Sequence, residues 1–335
     1  MRIVPVACFL ILLCTLMGCQ KTTLDGFSQS HYFAEQVLTY RFEDMITIHI
    51  NAPSPANFDA TKPVGLALFA LPNGNSIEFT VGKVTGENDD WHYDIQHIGA
   101  QTRYLRKHLL DYNLVTVYLE ADGLSWPAWK SANSDYRDIV QEVVDDIVDK
   151  FDSYNPFIVL TGHSGGGRFI FSYLDAHEQI PDQVKRICFL DSNYGYEHAY
   201  GDQLTEWLDR SEDHKLIVLA YNDSIALYQG KTFVSATGGT WYRSRIMQQY
   251  LAERYEFSST EDSSFIHHEA LDGRLQITLK KNPDRGIYHT EQVELNGFIH
   301  TMVSGTEQEG VGYTYFGDRV YTDLIQPEEL PRTVE

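Results

Sequence analysis

The stretch "FIVLTGHSGGGRFIFSYLDA", Phe157 to Ala176, decides how the rest of the chain is read. Five residues, Phe157 to Thr161, form an apolar, β-rich run of strand type. Gly162-His163-Ser164-Gly165-Gly166-Gly167 follows, and Arg168 to Ala176 then carries apolar residues at helical spacing. A serine between glycines at a strand-to-helix joint sits on a sharp turn. Residues two positions away must be small, because side chains there would meet the neighbouring strand and helix. The hydroxyl stands clear of the sheet at a helix N-terminus, where free N–H groups and the helix dipole favour developing negative charge.

Outward from this joint, strands and helices alternate. "LALFA" within Val64 to Asn75 is an apolar strand entering a Pro/Asn/Gly turn, and Leu114 to Asp122 is another strand. Asp94 to Leu110 reads as a helix. Ser134 to Phe151 is the clearest helix, with Ile139, Val140, Val143, Val144, Ile147, Val148 and Phe151 on one face and Ser134 as a candidate N-cap. Strands are expected over Val184 to Asp191, Lys215 to Asp223 and Leu275 to Lys281, with helices near Gln203 to Leu208 and over Tyr242 to Tyr255. The strand runs are continuously apolar, as in parallel sheets covered on both faces. Gln36 to Pro53 alternates instead and reads as antiparallel edge strands. The expectation is a single doubly wound α/β domain with a mostly parallel sheet and antiparallel strands at its N-terminal edge.

The first residues read as a targeting segment. Arg2 precedes an almost wholly apolar run, Ile3 to Met17, too short for a stable membrane span. "LMGC", Leu16 to Cys19, resembles the bacterial lipobox, which implies lipidation of Cys19. Gln20 stands where aspartate retains such lipoproteins in the inner membrane, so the resemblance implies the outer membrane of a Gram-negative cell envelope. The expected organisation is a signal peptide over 1–18, a polar tether over 19–30 and one domain over 31–335. Of the four cysteines, Cys8, Cys14, Cys19 and Cys188, only Cys188 lies in the body, where it reads as a small buried hydrophobe.

The 335 residues are 43% hydrophobic and 13% aromatic, enough for a sizeable core. With 26 basic and 47 acidic residues the formal net charge is −21, and no basic stripe appears, which disfavours nucleic acid as a partner. No H-E-x-x-H spacing occurs around "FIHHEA", Phe265 to Ala270, so no metal site and no cofactor is expected.

Gly162-x-Ser164-x-Gly166 in its strand–turn–helix context resembles the nucleophile elbow of the α/β-hydrolase superfamily, and the element order from about Gln36 to Glu309 is similar to that fold. The resemblance implies a Ser–acid–His triad with Ser164 as nucleophile. Asp223, after "KLIVLAYND", is the candidate acid, and Asp191, after "ICFLD", is the alternative. His300, in "NGFIHTM", is the candidate histidine, and His289, in "GIYHTEQ", is the alternative. The long gap from Asp223 to His300 implies an insertion near 224–274. The oxyanion donors would be Gly165 N–H and an N–H of Asn73 or Gly74, since Pro72 has none.

Trp91, Trp126, Trp129 and Trp241 fall at expected strand C-terminal ends, where open α/β sheets bind ligands. They suggest an aromatic cleft for a carbohydrate or another polar ester. The expected activity is that of a membrane-tethered serine esterase. Two rival readings are an amidase or peptidase on the same triad and an inactive scaffold that binds surface glycans.

Overall fold

The computed structural model describes residues 21–43 and 45–331. The expected signal peptide and Cys19 lie outside the described residues. Among the described residues, no helix is long and apolar enough to cross a membrane.

One sheet of eleven strands organises the chain, in the order β1-β2-β3-β5-β4-β6-β7-β8-β13-β12-β11. The apolar runs become its interior: β4 (Val64–Ala70), β5 (Asn113–Ala121), β6 (Phe157–His163), β7 (Val184–Leu190), β8 (Lys215–Tyr221) and β13 (Leu275–Lys280). Each pairs with its neighbours among these in parallel. β1 (Ser28–Gln29), β2 (Glu35–Phe42) and β3 (Ile46–Pro53) form the antiparallel N-terminal edge.

The insertion region holds four strands and a helix. β9 (Leu227–Tyr228) and β10 (Lys231–Thr232) make a small separate hairpin. Helix α7 (Thr240–Leu251) begins the crossover from β8 to β13. β11 (Ser258–Glu261) and β12 (Phe265–Ala270) then extend the sheet antiparallel beyond β13.

Helices cover both faces. Alternate residues of β4 show why: Leu66 and Leu68 join one apolar cluster, and Ala67 and Phe69 join the other. The first cluster receives α3 (Trp126–Ala132), α4 (Tyr136–Asp149), α5 (Gly167–Asp175), α6 (His198–Arg210) and α7. The second receives α1 (Ile77–Val81), α2 (Ile98–His108), α8 (Glu291–Glu294) and α9 (Gly297–Val303). The apolar stripe of α4 is buried as its spacing requires, although Asp135 rather than Ser134 occupies the N-cap position. Cys188 is a buried free thiol on β7, and burial pushes its pKa up to about 12.

The segment expected to be a free tether is docked from Thr22 onward. Thr22 N–H donates to Pro55 O at 2.8 Å, and Leu24 N–H donates to Gln36 Oε1 at 2.8 Å. Leu24 is buried, and Phe27 packs edge-on against Phe151 at 6.0 Å. Burial of Leu24 stabilises the docked form by about 1.5–3 kcal/mol, and the partly buried Phe27 and the pairing of β1 with β2 add to it.

The strand order places β5 on one side of β4 and β6 on the other. The chain therefore reverses its direction of winding at β4. A crevice opens at such a point, outside the C-terminal ends of the strands. The loop after β4 and the serine turn after β6 both end there.

Candidate active site

Ser164 has φ 54, a left-handed backbone conformation for a residue with a side chain. Such a conformation costs about 1–3 kcal/mol and persists only where the surroundings impose it. The neighbours show what imposes it. A Cβ on Gly162 would stand 3.0 Å from the carbonyl oxygen of Ala70 on β4, and one on Gly166 would overlap that same oxygen. The turn is therefore wedged against the adjacent strand, and only glycine fits on either side of the serine. Ser164 is half-buried, and its hydroxyl has no hydrogen-bond partner among the described residues. It projects into a cleft of about 220 Å³, walled by Asn73, Pro127, Arg168, Ser192 and Tyr194.

Two of the candidate partners meet beside this turn. His289 Nδ1 lies 2.5 Å from Asp191 Oδ2. Asp191 is fully buried at the end of β7, with its own N–H donating to Leu219 O at 2.8 Å. His289 sits in the loop after β13, the last strand of the parallel set. Its ring lies 4.4 Å from that of His163, the residue before the serine. His163 Nε2 donates to His289 O at 3.0 Å, so the residue preceding Ser164 holds the loop that carries the other histidine. Burial first, and then His289, hold the His163 pKa well below its usual value, so it stays neutral.

The sheet order, the strained serine after β6, and an acid–imidazole pair drawn from the ends of β7 and β13 decide the architecture. This is the α/β-hydrolase fold. No protein-family model matches the chain, and no curated protein matches its sequence. Some solved structures resemble the chain distantly. A thermostable esterase does so with a TM-score of 0.42 at 15% identity, over 78% of this chain and 56% of that one, a little over half its length. Acetyl xylan esterase from Aspergillus awamori gives 0.40 at 11% identity, over 71% of this chain and 88% of that one. Poly(aspartic acid) hydrolase-1 from Sphingomonas sp. KT-1 gives 0.38 at 13% identity, over 65% and 86%. Likeness at this level says nothing of what this chain does.

The pair preferred from the sequence, Asp223 with His300, is not brought together. Asp223 accepts Thr240 N–H at 2.8 Å through Oδ2, while its buried Oδ1 has no partner. Burial, and then the charge of Asp191, push its pKa up to about 7. The Thr240 hydroxyl donates to Asp191 Oδ1 and lies 3.4 Å from Asp223 Oδ2, so one threonine sits between both carboxylates. His300 is on α9, packed into the second cluster's face of the sheet. Its Nδ1 is 2.9 Å from Tyr313 Oη, its ring stacks on Tyr315 at 4.7 Å, and burial lowers its pKa to about 4. Helix α9 begins only after the histidine loop and α8, which carries His300 away from the strand ends.

On the oxyanion side, Gly74 N–H is committed to Leu124 O at 2.8 Å. Asn73 and Gly165 line the cleft with Ser164, and the Asn73 side chain fills the space that a Cβ on Gly165 would need.

The aromatic cleft does not form as expected. Trp126 and Trp129 are only 1% and 4% exposed, in the core on the α5 side of the sheet. Trp126 packs on Phe169 at 4.8 Å and on Trp129 at 5.3 Å. Spacing of three on a short helix places both rings on one face, and that face is the inner one. Pro127 between them lines the cleft instead. Trp241 is partly buried against the same core, and exposed Trp91 stacks on His92; neither lines the Ser164 cleft. Arg168 and Ser192, which do line it, were not singled out from the sequence. Arg168 was detectable, since four residues past Ser164 is one turn into the helix that the elbow starts.

Proposed function

We propose that the chain is a serine hydrolase of carboxylic esters, with Ser164 as nucleophile, His289 as general base and acid, and Asp191 as the carboxylate that orients His289. The Asp191–His289 contact beside the elbow carries this reading. Ser164 Oγ attacks the ester carbonyl carbon while His289 Nε2 takes its proton. Asp191, bonded at Nδ1, keeps Nε2 free to accept and stabilises the imidazolium. The oxyanion forms against Gly165 N–H and Asn73 N–H. Collapse breaks the ester C–O bond, and His289 gives its proton to the leaving alcohol. Water, activated by the same nitrogen, then releases the acid and restores the serine.

The free Ser164 hydroxyl suits a resting enzyme, since catalytic hydrogen bonds tighten when substrate binds. A cleft smaller than the roughly 300–1,000 Å³ of drug-sized sites suits a short acyl group, with the alcohol part, a sugar included, reaching outward. A fluorophosphonate probe labels the wild-type protein once and fails to label Ser164→Ala; labelling that survives this substitution places the nucleophile elsewhere.

We further propose that Cys19 is lipidated and tethers the protein to the cell envelope, facing polymers or small esters there. The "LMGC" stretch supports this. Metabolic labelling with a palmitate analogue tags the wild-type protein, and Cys19→Ser releases it from membranes. A soluble, unlabelled wild-type protein refutes the tether.

A further inference from the structure

The cleft around Ser164 holds polar groups that the proposed triad chemistry does not use. Arg168 is the one charged residue that lines it among the described residues. Its guanidinium has neither a hydrogen bond nor an ion pair among the described residues. Asp175, seven residues on and hence on the same face of α5 about 10 Å away, does not serve it. That carboxylate is taken by Lys130 at 2.6 Å, Tyr136 at 2.9 Å and Tyr200 at 2.7 Å.

Nor is the guanidinium loose on the surface. A Cβ on Gly195 would stand 3.0 Å from Arg168 Nη1 and 3.3 Å from Cζ. Gly195 also lines the cleft, so the missing side chain is the slot in which the guanidinium lies. A second observation is independent of this one. Ser192, 1% exposed and lining the same cleft, has a buried hydroxyl with no partner among the described residues. A buried hydroxyl without a partner is costly, and on a residue that lines a cleft a ligand atom is a group that can supply the missing bond. A guanidinium and a hydroxyl both left unsatisfied call for a ligand rich in acceptors. A planar carboxylate matches the fork of an arginine better than any neutral group does.

We infer that the substrate is an ester bearing a carboxylate close to the scissile bond, bound by Arg168 and Ser192. This rests on the hydrolase reading of the same cleft. The whole protein, at −21, repels anions at long range; Arg168 is then a local exception placed at the reacting serine, and the selectivity it confers is short-range. Arg168 and Ser192 act here as specificity determinants, not as participants in proton transfer.

The experiment compares anionic esters with neutral isosteres. One pair has the charge on the acyl side, methyl hydrogen succinate against methyl succinamate. The other has it on the alcohol side, O-acetylglycolate against O-acetylglycolamide. The readout is the ratio of kcat/KM within each pair, with fluorophosphonate labelling run in parallel. Wild type is expected to prefer the anion by about tenfold or more in at least one pair, the worth of a charged hydrogen bond. Arg168→Gln should bring that ratio to about one, Arg168→Glu should invert it, and Arg168→Lys should keep part of it. Gly195→Ala, which crowds the guanidinium, and Ser192→Ala should each lower it. A merely structural arginine would lower both members of a pair alike and leave the ratio standing. No anion preference in wild type, or a preference that survives Arg168→Gln, overturns the inference while labelling and ester turnover keep the hydrolase reading intact. Absence of both labelling and turnover overturns the hydrolase reading, and this inference with it.

Discussion

His289 Nδ1 lies 2.5 Å from Asp191 Oδ2, across a sequence separation of 98 residues. The contact joins the end of β7 to the loop after β13, with β8 between those strands. The loop is held by more than this bond. Asn282 Nδ2 donates to Asn222 O at 3.0 Å and to Gly286 O at 2.8 Å, and His163 Nε2 donates to His289 O. A carboxylate buried without a cationic or hydrogen-bonding partner would be very costly. Asp191 has both His289 and the Thr240 hydroxyl.

Asp191→Asn is expected to lower kcat by about 10⁴, because the amide favours the wrong imidazole tautomer. Asp223→Asn should keep kcat within about tenfold of wild type, since among the described residues Asp223 makes no hydrogen bond to His289. Steady-state kinetics on a p-nitrophenyl acyl ester separates the two. The reverse ranking would assign the acid to Asp223.

The histidines divide in the same way. His289→Ala should abolish turnover to about four orders of magnitude or more. His300→Gln should leave kcat nearly unchanged and lower stability by about 1–3 kcal/mol, the cost of disturbing a buried hydrogen bond. Denaturant unfolding and initial rates measured on the same preparations test both halves.

His163, through its bond to His289 O, is expected to position the His289 loop. His163→Ala should lower kcat by about 10–100-fold, the scale of a displacement of about 1 Å at a catalytic group. His163→Gln, which retains a donor, should restore part of that loss. Fluorophosphonate labelling rates follow the defect without any substrate-binding contribution. Equal rates in wild type and His163→Ala would leave the His289 loop independent of His163.

Asp223 gives the fold a pH dependence of known sign. Its folded pKa, raised to about 7 from 3.8, means that the native state binds a proton which the unfolded chain has already lost. Stability therefore falls as pH rises between those two values. Asn in place of Asp keeps the acceptor for Thr240 N–H and removes the ionisation. The Tm of Asp223→Asn relative to wild type should accordingly rise from pH 5 to pH 8. A Tm difference independent of pH would show that Asp223 is ionised throughout.

Trp126→Ala should destabilise the protein by about 3–5 kcal/mol through the cavity it leaves. It should lower turnover of sugar esters and simple esters together, to the extent that it unfolds the enzyme. Selective loss on sugar esters would return Trp126 to the binding site.

Much of the architecture was legible because it is written locally. The serine turn needs only the residues from Gly162 to Gly166 and the apolar runs that flank them. The buried stripe of α4 follows from its spacing alone, and the continuous apolar strands announce a sheet covered on both faces. The tryptophans show how a sound pattern misleads. Their position after β5 was right, but the spacing of Trp126 and Trp129, behind the N-cap Ser125, encodes a short helix whose shared face turns inward. The stretch before β2 looked polar by composition, yet Leu24, Phe27 and backbone bonds to Pro55 and β2 dock it.

The sequence by itself determined the elbow, the doubly wound sheet and the presence of an aspartate at the ends of both β7 and β8. It did not determine which aspartate meets a histidine. Backbone strain, helix periodicity and strand burial depend on residues within a few positions of each other, so they can be read along the chain. The pairing depends on how far each strand end stands from a loop that arrives after the insertion, and on which carboxylate that loop can satisfy. Those distances exist only once the sheet has assembled. In the assembled sheet His289 and the Thr240 hydroxyl both go to Asp191, and Asp223 is left with a backbone amide and a pKa near neutrality.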